Sequence, residues 1–290
     1  MLKHEENCAN FCAHKSIQLV IFFEATYLLF TYIFLFTSAP PPPEEKGPFL
    51  PEFVEKLIFK ETTDEEMVHV CQIGPISHLD KIYYDKNLYL TCQQSRRLCE
   101  LTIDQWKNET WRLERDIRIT PTKGHRFLKD LENNADDEVF IKHFLPGKIL
   151  DKDKHPALKY GCDNEHLAKA GYIAYKGHTV PFTVFDVGSI SKHRFSWFSG
   201  SLDGLIWREN QQEVGVLEIK CIYSCRNKRK IENKDCAFLL NKDGKLSENH
   251  PYWLQIQLYA WLTHATFAHL WLWTANDQRL INVPLKPDEA

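Results

Sequence analysis

The fold is decided by residues 201–220, SLDGLIWRENQQEVGVLEIK. Two runs rich in branched and aromatic residues lie on either side of a polar segment, as in two neighbouring strands. The first run contains Asp203, and the second contains Glu218 and Lys220. Alternate residues of a strand point to the same face, so Glu218 and Lys220 are predicted to face the same way.

Two carboxylates on neighbouring strands can hold a hard divalent cation, because Mg²⁺ prefers oxygen ligands. A lysine on the same strand face as Glu218 can point into that site. Two acids and a lysine around Mg²⁺ are suited to activating water beside a phosphodiester, so the stretch predicts a metal-dependent nuclease. The alternatives are a turn carboxylate at Asp203, since Asp-Gly is a common turn pair, and an edge strand that leaves Glu218 and Lys220 in water.

The composition argues against binding to nucleic acid through an overall positive charge. The 290-residue chain has a net charge of -3 and an ordinary charged fraction of 26%. Binding would therefore depend on local basic patches. One is the run 226–230, and the other consists of Arg112, Arg115, Arg118, Lys123, Arg126 and Lys129. The alternative for each group is a solvated loop or helix face.

The nine cysteines indicate free thiols, because their number is odd and their spacing forms no disulfide framework. Two pairs, Cys8 with Cys12 and Cys221 with Cys225, have a spacing that zinc sites use. Neither has a well-spaced second pair. Free thiols are typical of a reducing compartment, so we expect an intracellular protein of the nucleus or cytoplasm.

Residues 1–47 are predicted to form a separate N-terminal segment. Within it, 17–38 (IQLVIFFEATYLLFTYIFLFTS) is apolar and long enough to span a bilayer, although Glu24 interrupts it. The four prolines at 40–43 are typical of a stiff linker. Four interpretations stay open: a transmembrane anchor, an uncleaved signal segment, a buried helix, or sequence that a wrong gene model joined to the chain.

The rest of the chain is predicted to divide into a helical and irregular region, 48–110, and a globular domain, 111–290. In the domain a meander of strands precedes a helix and a further strand. This order favours an α/β (α+β) fold with a mixed central sheet flanked by helices. The predicted helices cover about 122–146, 160–176 and 251–265, the last capped by Asn249, and the predicted strands cover 179–187, 195–198, 202–208, 214–220 and 267–274.

Other residues could carry chemistry. Glu165 begins the predicted helix 160–176 and is either a first-turn acid that complements the helix dipole or a third acid at the site. Gln255 lies on an apolar helix, where a buried amide needs hydrogen-bond partners. Arg115 has a fork that matches phosphate oxygens, and nearby hydroxyls add donors. Four aromatic residues either stack on bases or pack in the core: Tyr252, Trp253, Tyr259 and Trp261.

Together these pieces resemble the YqaJ-like viral recombinase family, relatives of lambda exonuclease within the PD-(D/E)xK nucleases. The resemblance covers about 111–274, where four blocks occur in the family's order. The blocks are WxxxR at 111–115 with Ile119, Thr120 and Thr122; Asn164-Glu165; SLDG at 201–204 with LEIKC at 217–221; and YxxQIQ at 252–257. The resemblance implies a PD-(D/E)xK restriction-endonuclease-like core.

The chain departs from the family pattern at two positions. Leu202 stands where a proline usually precedes the aspartate, and Ile222 stands where a proline usually follows Lys-Cys. Neither side chain is expected to bind metal, so activity is not excluded. The chain also ends soon after the predicted strand 267–274, where family members often continue. We therefore expect the fold to lack a closing element.

The resemblance implies a nuclease dependent on Mg²⁺ or Mn²⁺, in which Asp203 and Glu218 bind the metal with the Ile219 carbonyl as a third ligand. Lys220 would position or activate water and stabilise the charge that develops on the phosphorus centre. The supporting roles fall to Glu165 at the metal and its water, Gln255 orienting Lys220 or the water, and Arg115, Thr120 and Thr122 at a DNA phosphate.

The implied activity is 5′→3′ exonuclease action on duplex DNA ends, in recombination or repair, with a single-stranded product and with homo-oligomer formation as a further expectation. An endonuclease on the same scaffold stays open. The chief alternative is a catalytically inactive nucleic-acid-binding module derived from a viral or transposon recombinase. The retained acids, lysine and glutamine argue against it, whereas Leu202 and the apparent truncation argue for it. A third interpretation is a membrane-anchored interaction domain.

Overall fold

A computed structural model of the chain describes residues 49–61, 82, 84–136, 139, 154–178, 181–193 and 195–286. The apolar N-terminal stretch and its proline-rich linker lie outside the described residues, so the four interpretations stay predictions. Within the described ranges, no helix combines the length and the apolar character needed to cross a membrane.

The described residues form six α-helices and seven strands. The helices are α1 (Glu52–Ile58), α2 (Cys92–Leu101), α3 (Glu109–Asp116), α4 (Pro121–Glu132), α5 (Pro156–Gly177) and α6 (Pro251–Thr263). The strands are β1 (Thr183–Phe185), β2 (Ile190–Ser191), β3 (Ser199–Gly200), β4 (Gly204–Arg208), β5 (Glu213–Cys221), β6 (Phe267–Trp273) and β7 (Gln278–Val283). α4 ends earlier than predicted, because Asn134 adopts a left-handed conformation with a φ of 49°.

The central sheet is mixed and has five strands in the order β1-β4-β5-β6-β7. β5 and β6 are parallel, and the other neighbouring pairs are antiparallel. The chain passes from β5 to β6 through a long loop and α6, while β2 and β3 form a separate antiparallel pair. The predicted α/β class, with a mixed central sheet flanked by helices, is confirmed.

Alternation along the strands divides the core into two layers. On one face of β5, Leu217 packs with Tyr172 of α5 and Trp271 of β6. On the opposite face, Val216 packs with Ile256 of α6. Because Glu218 and Lys220 follow Val216 at intervals of two, they lie on the α6 face of the sheet.

The helices before α3 belong to the same core as the strands. Val54 and Ile58 of α1 are fully buried against it. Gln105, which follows α2, donates a hydrogen bond from Nε2 to the Leu202 carbonyl at 2.7 Å. The N-terminal helices therefore brace the segment that leads into Asp203, while the predicted domain boundaries stay predictions.

Two local predictions are wrong. Residues 195–198 are not a strand but form turns, in which two backbone N–H groups donate to carbonyls three residues earlier. Their aromatic side chains made them strand-like in sequence, yet these side chains fill the core. His250, rather than Asn249, caps α6, because its Nδ1 accepts a hydrogen bond from the Tyr252 N–H at 3.1 Å.

The fold has a closing strand, contrary to the expectation from sequence. β7 pairs antiparallel with β6 along its length, with Ile281 opposite Leu270. Ile281 and Val283 are buried, whereas Asn282 between them is exposed. In the six-residue run QRLINV, apolar and polar residues alternate only over the last three positions. This short pattern is too weak to predict a strand from sequence.

A buried tyrosine–histidine pair makes stability depend on pH. The Tyr172 hydroxyl lies 2.6 Å from Nδ1 of His269, and both residues are buried. Burial, reinforced by the charges of Lys176 and Arg208, lowers the pKa of His269 from 6.5 to about 4. Between these values the unfolded chain binds more protons than the folded chain, so stability that is present above pH 6.5 is lost as the pH falls. We expect this residue alone to remove about 2 kcal/mol of unfolding free energy between about pH 7 and about pH 5.

The measurement is urea denaturation of the unmodified protein, His269→Gln and His166→Gln at those two pH values. His166 is exposed on α5 and serves as the matched control. The dependence on pH should shrink in His269→Gln and persist in His166→Gln. An equal dependence in all three proteins contradicts the assignment.

Candidate active site

β4 and β5 bring Asp203 to Glu218. Gly204 pairs in antiparallel register with the residue before Glu218, so Asp203, which precedes Gly204, stands across from Glu218. Oδ2 of Asp203 accepts a hydrogen bond from the Ile219 N–H at 2.6 Å. Glycine is needed after Asp203, because a Cβ at Gly204 would lie 2.7 Å from Cγ1 of Val184. The two carboxylates predicted from sequence are therefore neighbours across the strand pair.

Glu218 is the buried centre of a hydrogen-bonded group, with a relative exposure of 1%. Its Oε1 accepts from Lys220 Nζ at 2.5 Å and from Gln255 Nε2 at 2.8 Å. Its other oxygen, Oε2, is buried and has no hydrogen-bond partner among the described residues. A buried carboxylate oxygen without a partner is costly, so its presence requires an explanation.

Three carboxyl groups lie around one lysine. Burial and the charge of Asp203 raise the pKa of Glu218 to about 7, with a smaller contribution from Glu165. Burial and Asp203 also raise the pKa of Glu165. Burial opposes the charged form of Lys220, but the carboxylates of Glu218 and Asp203 outweigh it and raise its pKa. The acids outnumber the cation, so the site favours a further positive charge.

The residues present fit a hard divalent cation. Oε2 of Glu218 needs a partner, and Asp203 supplies a second carboxylate. The N–H and C=O of a strand residue point to the same sheet edge, so the Ile219 carbonyl faces the Asp203 side. In the described ranges, no three His, Cys, Asp or Glu side chains form a metal-binding group. The oxygen set is thus two carboxylates and a backbone carbonyl, and Mg²⁺ commonly adds water to so small a set.

Glu165 reaches the site from α5. This helix begins at Pro156, so Glu165 lies well inside it. Its interpretation as a first-turn acid that complements the helix dipole is therefore wrong. The side chain is half-buried, and the charges of Asp203 and Lys220 both act on its pKa. The structure thus brings the third acid towards the other two from the opposite face of the sheet.

Arg115 approaches from the end of α3. Its Nη2 lies 3.1 Å from Oγ1 of Thr122, and its guanidinium carbon lies 4.4 Å from the centre of the Trp111 ring. Trp111 in turn donates from Nε1 to the Ser201 hydroxyl at 2.7 Å, which ties α3 to the segment before Asp203. Thr120 is fully buried behind Thr122, with 3.0 Å between their hydroxyl oxygens. Arg115 forms no ion pair with any described residue, which leaves it suited to an anionic ligand.

Sequence reasoning named Gln255 but missed the contacts that Tyr252 and Tyr259 make with the predicted site residues. Tyr259, a candidate for base stacking, is buried, and its hydroxyl accepts a hydrogen bond from Gln255 Nε2 at 3.1 Å. The Lys220 ammonium lies 4.7 Å from the centre of the Tyr252 ring. The one-turn spacing of Gln255 and Tyr259 on an apolar helix was the available signal. Gln255 and Lys220 thus donate to the same oxygen of the Glu218 carboxylate.

Both departures from the family pattern are accommodated in the core. Leu202 is fully buried. Ile222 is buried as well, and its N–H donates to the Trp273 carbonyl at 2.9 Å. A proline at 222 could not form that bond, because proline has no N–H. The two substitutions therefore leave the strands that carry the acids intact.

Comparison with known proteins gives one family and several weak structural likenesses. The family model of the YqaJ-like viral recombinase domain matches residues 110–266. No curated protein matches the chain. An alkaline exonuclease, LHK-Exo from Laribacter hongkongensis, is similar with 17% identity over 62% of this chain and 83% of its own, at a TM-score of 0.41. The complex of LHK-Exo with dAMP is similar with 18% identity over 61% of this chain and 83% of its own, at a TM-score of 0.42. Likeness at this level is too weak to assign an activity.

Proposed function

The chain belongs to the YqaJ-like viral recombinase family, and we propose that it is a metal-dependent deoxyribonuclease that degrades duplex DNA from its ends in the 5′→3′ direction. The observation that carries the proposal is the buried Glu218, which has one oxygen held by Lys220 and Gln255 and the other without a partner beside Asp203. Family membership supports a nuclease, whereas the metal, the polarity and the duplex substrate are part of the proposal.

Asp203, Glu218 and the Ile219 carbonyl would hold the divalent cation, Mg²⁺ or Mn²⁺. Bound there, the cation would supply Lewis acidity and a water of lowered pKa. Lys220 is held by Glu218 and the Tyr252 ring, so its ammonium has a defined position. Since its pKa is raised, Lys220 is a cation at neutral pH and is suited to stabilising negative charge on the phosphoryl oxygens rather than to removing a proton.

The remaining residues position the reacting groups. Gln255 donates to Oε1 of Glu218 and to the Tyr259 hydroxyl, so these contacts hold Oε1 and leave Oε2 available. Glu165 lies near Asp203 and can accept a hydrogen bond from water at the site. Arg115, with Thr122 at its tip, would bind a DNA phosphate. Such contacts go to the backbone, so binding should be independent of sequence and should weaken as salt rises.

Arg115→Ala is expected to weaken binding to duplex ends that carry a 5′-phosphate and to lower the slope of log affinity against log salt by about 1. The physical reason is the loss of one phosphate contact and of the counterion that it releases. Fluorescence anisotropy in EDTA, at several salt concentrations, measures both effects without cleavage. Arg112→Ala is the matched control, because Arg112 is exposed and pairs with Glu109. A slope equal to that of the unmodified protein contradicts the assignment of Arg115.

The proposed activity is tested with linear duplex DNA labelled at its 5′ or 3′ end, in Mg²⁺ and in EDTA, beside a closed circle of the same sequence. We expect Mg²⁺-dependent release of the 5′ label before the 3′ label and no cleavage of the circle. Cleavage of the circle would make the protein an endonuclease. Binding that is sensitive to salt, without cleavage of either DNA, would instead identify an inactive nucleic-acid-binding module.

A further inference from the structure

Phe238 is the most exposed large apolar side chain in the described part of the chain, with a relative exposure of 60%. Isolated exposed apolar residues are common in proteins, so exposure by itself assigns nothing. Phe238, however, is not on a loose loop. Leu239 and Leu240 beside it are buried, and the Leu240 N–H donates to the Cys236 carbonyl at 2.7 Å. The ring is therefore held towards solvent by a loop that is itself anchored in the core.

A series of aromatic contacts connects Phe238 to the candidate active site. Its ring centre lies 6.4 Å from that of His250, edge to face. His250 is 4.6 Å from the ring of Tyr252, and the Lys220 ammonium lies 4.7 Å from that ring. Because His250 is the N-cap of α6, its position is fixed by the start of the helix. Phe238 thus stands at the outer end of a row of rings that begins at Lys220.

The loop that carries Phe238 is also basic. Residues 226–250 contain seven lysines and arginines and four acids. Arg229 and Lys230 are exposed. Positive charge of this kind attracts a phosphate backbone without regard to base sequence. A DNA strand drawn along this loop would pass the exposed ring of Phe238 before it reaches Lys220.

We infer that Phe238 stacks on an unpaired base of the DNA strand that enters the site, one or more nucleotides from the phosphate at Lys220. The inference rests on the proposed nuclease function. An exposed aromatic ring on a basic loop is suited to this role, because every base offers a flat face and stacking tolerates all sequences. Stacking would hold the strand in register with Lys220, so Phe238 is a substrate-binding residue and Tyr252 and His250 support it.

The test is fluorescence anisotropy of a labelled single-stranded oligonucleotide in EDTA, with the full chain and three variants. One oligonucleotide has all its bases, and a second has the same backbone with abasic residues throughout. Phe238→Ala should bind the intact oligonucleotide about tenfold more weakly, whereas Phe238→Trp should retain its affinity. Tyr175→Ala is the matched control, since Tyr175 is also an exposed aromatic residue (51%) but lies on α5 against Trp271.

The oligonucleotide without bases separates stacking from a loss of folding or of charge. The unmodified protein and Phe238→Ala should bind it equally. The inference is overturned if Phe238→Ala binds the intact oligonucleotide as tightly as the unmodified protein does. It is also overturned if the affinity of Phe238→Ala falls by the same factor for both oligonucleotides. Suppose that the unmodified protein binds the oligonucleotides, that Phe238→Ala weakens binding only to the one with bases, and that linear duplex DNA is not cleaved in Mg²⁺. The nuclease proposal then fails, and the stacking inference stands. If the unmodified protein binds neither oligonucleotide, the stacking inference is overturned, and the nuclease proposal is decided by the cleavage of linear duplex DNA.

Discussion

Lys220→Ala is expected to slow Mg²⁺-dependent cleavage of linear duplex DNA by a factor of about 100 to 1,000. The variant removes the only cation that contacts Glu218 among the described residues, at the position where negative charge would develop on the phosphate. Glu218 keeps its hydrogen bond from Gln255, so its carboxylate stays in place. The loss should therefore fall on the rate of the chemical step, measured with saturating enzyme in a single turnover.

Binding is the readout that distinguishes a lost catalytic group from a damaged fold. Lys220→Ala should bind DNA in EDTA with nearly unchanged affinity and should melt as one transition. Lys56→Ala is the matched control, because Lys56 is an exposed lysine of α1 paired with Glu52. It should cleave like the unmodified protein. Full cleavage by Lys220→Ala would remove Lys220 from the mechanism and leave the proposed site without its central cation.

Arg118→Ala is expected to lower the free energy of unfolding by about 3 kcal/mol. The Arg118 side chain is fully buried. It donates to the Ser196 carbonyl at 2.6 Å and to the Leu88 carbonyl at 3.2 Å, and it pairs with Glu114. Alanine would leave two carbonyls and a half-buried carboxylate without their donor. The expected loss lies at the low end for buried pairs, because Glu114 is partly exposed and can regain water.

Urea denaturation measures this loss, with Arg112→Ala as the comparison. Arg112 lies on α3, which ends shortly before Arg118, and it is exposed and forms an exposed pair with Glu109. Exposed ion pairs contribute little, so Arg112→Ala should unfold near the midpoint of the unmodified protein. If the two variants are equally stable, the buried network does not stabilise the fold as its geometry indicates. The affinity of folded Arg118→Ala for DNA should be unchanged, which separates Arg118 from Arg115.

These arginines show where local sequence stops being informative. Arg112, Arg115 and Arg118 form one basic cluster in the sequence, at intervals of three. In the structure the first is exposed, the second lies against Thr122 and the Trp111 ring, and the third is in the core. The burial and contacts of these arginines depend on partners that are distant in the chain, such as Ser196 for Arg118. No periodicity of residues 109–118 contains that information.

The strand that carries Glu218 and Lys220 was predictable because its determinants are local. The run at 214–219 is buried without interruption, as in a strand that is covered on both faces, and the spacing of Glu218 and Lys220 fixes their common face. A carboxylate and an ammonium within so apolar a run are costly without partners, so their presence already indicated a site. The same local logic predicted α6, where an amide interrupts an aromatic, apolar helix at Gln255.

By itself, then, the sequence determined the α/β class, the strands and helix that bear the acids, the lysine and the glutamine, and the family. The tertiary structure decided that Gln255 and Lys220 share one oxygen of Glu218 and leave the other without a partner. It also decided that β7 closes the sheet and that Phe238 lies against His250 at the start of α6. The physical reason is the separation in sequence over which each effect acts. Periodicity and secondary-structure propensity depend on residues that are close in the chain, whereas burial and hydrogen-bond partners depend on distant segments that folding brings together.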